Sequence, residues 1–80
     1  GGRMTLLELS ALYDESASRI RVRMAQLRAD AKEQTDPAAA QALRQRIAEL
    51  TPLLREMREL AVLTAHYYDR SYHKHERYTL

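Results

Sequence analysis

The chain contains no cysteine, tryptophan or phenylalanine, and only two glycines and two prolines among 80 residues. Without cysteine there is neither a disulfide framework nor a thiolate metal site, which agrees with an intracellular, cytoplasmic protein. The longest apolar stretch, Leu60 to Ala65, is far short of the roughly 18 residues a membrane helix needs, so no membrane partner is expected. No charged n-region followed by an apolar segment opens the chain, and Gly1-Gly2 reads as an expression remnant or disordered end, with residues 1–4 outside the fold. Charge of one sign is also scarce. Thirteen basic residues stand against eleven acidic ones, a net charge of +2, and both signs are mixed along the chain.

What remains is helix-forming composition, chiefly Ala, Leu, Arg, Glu and Gln. Tyr13, Ala17, Ile20, Met24, Leu27 and Ala31 recur at alternating spacings of four and three. After Thr35-Asp36-Pro37 the rhythm resumes in Leu43, Ile47, Leu50, Leu54, Met57, Ala61, Thr64 and Tyr68. Such spacing lays one apolar seam along each of two helices. The fold expected is all-α: an antiparallel two-helix hairpin with coiled-coil-like packing, dimerising into a four-helix bundle.

The boundaries follow from capping chemistry. Thr5 and Glu8 fit a capping box, placing helix 1 at about 5–34 with Leu6 and Leu9 extending its seam. The turn is 35–36. Asp36 caps the second helix and Pro37 takes its first position, where no N–H is missed. Helix 2 is expected over about 37–72, followed by a tail at 77–80, the hairpin domain as a whole covering 5–76. Pro52 is either a kink inside helix 2 or the start of a new helix capped by Thr51. Leu50, Leu54 and Met57 keep phase across it, which favours the kink.

Helix 2 carries more apolar surface than one partner can cover. Leu53, Leu60 and Tyr67 lie seven residues apart beside the seam, and Val62 and Leu63 add to them. Helix 1 has spare apolar positions at Leu7, Leu12, Val22 and Ala29. A lone hairpin has little interior, whereas two hairpins make a four-helix core. The expected partner is therefore a second copy or another helical protein, through an interface of Leu53, Leu60, Leu63, Tyr67 and Tyr72.

Signals for chemistry are weak. His66, Asp69 and His73 are competent metal ligands by type, but their spacing matches no compact motif, and a polar tail or interface describes the segment more simply. Asp69, Ser71 and His73 supply the residue types of a hydrolytic triad, yet one helix cannot aim all three at one substrate. Glu56 and Glu59 beside Arg55 and Arg58 describe a solvated face. No enzyme activity, cofactor or metal is expected. Nucleic-acid binding is the alternative function: Arg19 and Arg23 lie one turn apart, Arg21, Arg28 and Lys32 form a looser stripe, and Arg70, Lys74 and Arg77 add a basic end. Tyrosines can stack on bases in single strands, although no helix-turn-helix pattern is present for reading a groove.

Overall fold

The computed structural model describes the backbone of residues 4–79 and the side chains of residues 4–69. Two helices, α1 (Leu6–Glu33) and α2 (Pro37–Thr79), pack against each other as an antiparallel hairpin.

Each helix start follows from its local chemistry. Thr5 stands outside α1 in extended conformation, and its hydroxyl accepts from the Glu8 amide at 3.0 Å. The Glu8 carboxylate returns to the Thr5 amide at 3.4 Å, completing the capping box. α1 ends without glycine: Gln34 turns extended, and its amide closes the last turn on the Asp30 carbonyl at 3.0 Å. Two residues later the Asp36 carboxylate accepts from Ala38 N–H at 3.2 Å, with Pro37 between them as the first residue of α2.

α2 is continuous through Pro52. Proline there deprives the Ala48 carbonyl of its usual amide donor. Ala48 and Pro52 are both exposed, so water can take the vacated place. The adjacent Thr51 hydroxyl donates to the Ile47 carbonyl at 2.9 Å, giving the interrupted turn an extra tie. The helix also runs on to Thr79, past the expected end near residue 72 and through most of the expected tail. No glycine or proline follows Pro52 to stop it. Leu80 and residues 1–3 lie outside the described residues.

The two seams meet along the hairpin. Met24, Leu27 and Leu50 form the buried cluster, with Ile20, Leu43, Ile47 and Leu54 packed around it. Toward the open end small residues replace large ones. Ala17, fully buried, and Ala61 let the helices approach closely. There the Ser10 hydroxyl donates to the Ala61 carbonyl at 2.7 Å, tying one helix to the other and pinning their register. Thr64, the buried polar residue of the seam, donates back to the Leu60 carbonyl at 2.6 Å and so leaves no orphaned group. Leu6 keeps seam phase but stays exposed at the first turn of α1.

The result is long and thin, 66 × 22 × 14 Å. Its radius of gyration is 18.7 Å, against about 12 Å for a compact chain of this length. At about 1.5 Å per residue the helices measure roughly 42 and 64 Å, so the end of α2 reaches past the start of α1.

Candidate functional site

Helix phase divides the surface of the hairpin into two faces. A residue one position after a seam residue turns to one flank of its helix, and a residue one position before turns to the other. An antiparallel hairpin has an approximate two-fold axis perpendicular to its plane, which brings matching flanks of the two helices onto the same face.

The preceding positions make one face. From α1 they include Leu12, Ser16, Arg19, Arg23 and Asp30; from α2, Arg46, Glu49, Leu53, Glu56, Leu60 and Tyr67. Leu12, Leu53 and Tyr67 are exposed, and Leu60 is half-buried. The Ser10–Ala61 register sets Leu12 close to the level of Leu60, so the leucines of the two helices form one apolar patch toward the open end. The charges on this face are mixed. Arg46 pairs with Glu49 at 3.1 Å, and Arg19 with Glu15 at 2.8 Å, all four side chains largely exposed.

The following positions make the opposite face, and its character is different. From α1 come Asp14, Ser18, Arg21, Ala25, Arg28 and Lys32; from α2, Arg44, Ala48, Thr51, Arg55, Arg58 and Val62. All are exposed. Among the described residues the ion pairs are Arg19–Glu15 and Arg46–Glu49 alone, so every arginine of this face lies outside an ion pair. Arg55 and Glu59, one turn apart, do not form an ion pair. An open groove runs along this side of α2 from Thr51 to His66, with Leu54, Val62 and Leu63 in it and Arg55, Arg58 and Glu59 beside it.

Of the expected interface residues, Leu53, Leu60 and Tyr67 share one face by helix phase, whereas Leu63 stands at the outer edge of α2 and lines the groove with Val62, Arg55 and Arg58. The Tyr72 side chain lies outside the described residues. The expected phosphate-contacting residues do not stay together. Arg21 and Arg28 occupy the basic face; Arg19 and Arg23 occupy the other; the side chains of Arg70, Lys74 and Arg77 lie outside the described residues. Arg44, Arg55 and Arg58 join Arg21 and Arg28, a grouping the sequence reading missed. Its signal was present in the recurrence of Arg44, Thr51, Arg55 and Arg58 at spacings of seven, four and three.

Among the described residues no three His, Asp or Glu side chains converge as a metal site, and no helix is long and apolar enough to cross a membrane. His66 and Asp69 are exposed, and the His73 side chain lies outside the described residues. No catalytic cluster is present among the described residues. No family model, curated protein or solved structure matches this chain.

Proposed function

We propose that this chain is a non-catalytic association module whose occupant is a second copy of itself, the two hairpins packing through the Leu12–Leu53–Leu60–Tyr67 face into a four-helix bundle. The observation that carries the reading is surface area. The chain exposes 6587 Å², against about 5,000 Å² for a compact monomer of its mass. The excess of roughly 1,600 Å² per chain, part of it on the projecting end of α2, exceeds the about 800 Å² per partner of a standard interface. The patch that would be covered is apolar and recurs every seven residues along α2, the period at which a second helix can follow it. A two-fold dimer needs only one such self-complementary patch.

Size-separated light scattering over a range of concentrations tests the reading. A dimer of about 19 kDa, twice the 9.3 kDa chain, that dissociates on Leu53→Glu or Leu60→Glu is the expected result. A monomer at every concentration would overturn it, and a heterologous helical partner would then become the reading to pursue.

A further inference from the structure

We propose that the face opposite the leucine patch binds a nucleic-acid duplex along its phosphate backbone, through Arg21, Arg28, Arg44, Arg55 and Arg58. This stands apart from self-association and does not depend on it. A dimer joined through the leucine faces would leave both arginine faces outermost.

The first argument is the partition of charge. Acidic side chains along both helices could neutralise arginines anywhere on the surface, yet the ion pairs found among the described residues involve Arg19 and Arg46 of the other face. On the arginine face the acidic contributions of the following positions are Asp14 and Asp69, both toward the open end. Arg58 lies near the level of Asp14 in the Ser10–Ala61 register, and Glu59 borders the groove beside it. From there toward the turn the face carries cations without an acidic residue at the same phase.

The second argument is shape. Between the arginines lie Ser18, Ala25, Ala48 and Thr51, side chains too short to hold a partner away. Arg44 to Arg58 spans roughly 21 Å at 1.5 Å per residue, the length of about six base-pair steps at 3.4 Å each along a strand. α1 contributes a second row across the interaxial distance of about 8–10 Å. Two rows of guanidinium forks suit phosphate oxygens, which they can bind in bidentate fashion.

The third argument separates partner classes. A protein partner needs apolar or aromatic anchors at the centre of its interface. The large apolar side chains on this side, Leu54, Val62 and Leu63, line the groove toward the open end. The part nearer the turn, around Arg21, Arg28 and Arg44, presents only Ala25, Ala48 and Thr51 between its cations. A single strand would be held by aromatic stacking. Tyr13 and Tyr68 belong to the seam and Tyr67 to the other face, so no described tyrosine serves here. Backbone contact with a duplex, independent of base sequence, is what remains.

The test is fluorescence anisotropy with a labelled 20-base-pair DNA duplex, comparing R28Q/R44Q/R55Q with the charge-matched control R19Q/R23Q/R46Q. All six side chains are exposed, so both variants should fold. The expected result is binding by the wild type and the control, with affinity falling at least tenfold in R28Q/R44Q/R55Q. The slope of log affinity against log salt should fall in magnitude by about 2.7, at 0.9 per lost phosphate contact. Equal losses in the two variants would overturn the proposal, as would no binding in low salt. Tighter binding of the same strand unpaired would replace the duplex with a single strand. Competition by polyglutamate as effective as by unlabelled duplex would point to an acidic protein instead.

Discussion

Leu27 and Leu53 are chemically identical and sit on the same hairpin, but truncating them should have different consequences. Leu27 is 2% exposed and belongs to the buried cluster, whereas Leu53 is 43% exposed on the apolar face. Leu→Ala in a core costs about 2–5 kcal/mol, less where neighbours can relax into the gap. A core only two helices deep relaxes readily, so about 2–3 kcal/mol is expected for Leu27→Ala. That is a large share of the about 4–12 kcal/mol typical of a chain this long. Fully burying a leucine is worth about 2 kcal/mol, and somewhat under half of that remains for Leu53 to gain from a partner. Leu53→Ala should therefore cost about 1 kcal/mol per chain, or roughly a 30-fold rise in the dimer Kd when both chains carry it. Urea denaturation followed by far-ultraviolet circular dichroism, repeated at two protein concentrations a hundredfold apart, separates the effects. Leu27→Ala should lower the midpoint at both concentrations. Leu53→Ala should flatten the concentration dependence that a dimer shows. A Leu27→Ala cost below about 1 kcal/mol would refute the core described above, and Leu53→Ala equal to it at every concentration would refute the division into seam and face.

Two further outcomes test local features. Pro52→Ala should restore a donor to the Ala48 carbonyl and stabilise the hairpin by up to about 3 kcal/mol, seen as a higher thermal midpoint; an unchanged or lower midpoint would mean the proline geometry is required by the packing. Ser10→Ala removes the 2.7 Å bond to the Ala61 carbonyl and should cost about 1 kcal/mol, with faster amide exchange in both helices near that level. Exchange confined to α1 would show that this bond does not tie the register.

Much of the architecture was legible in the chain itself. The four-three alternation places Met24, Leu27, Leu50 and Ala61 on the seam, and Thr5-Glu8 and Asp36-Pro37 mark where helices begin, because these are relations among residues within a turn or two. The end of α2 was harder to read. A polar, tyrosine-rich composition looks like a tail, yet helix propagation stops only where a residue opposes it, and no glycine or proline lies there to do so. The candidate surfaces divide in the same way. Leu53, Leu60 and Tyr67 could be grouped from sequence since all stand on one helix at one phase. Arg21 and Arg28 could be set apart from Arg19 and Arg23 by phase within one helix, but could not be joined to Arg44, Arg55 and Arg58, which stand on the other.

Sequence alone determined two helices, the turn between them, and the apolar stripe along each, since periodicity and capping act through neighbours in the chain. Only the tertiary structure decided which side of one helix joins which side of the other. That relation depends on antiparallel packing, and on a register held by Ser10 against Ala61, residues far apart in sequence. Once the two helices are laid together, Leu12, Leu53 and Leu60 gather on one face and Arg21, Arg28, Arg44, Arg55 and Arg58 on the other.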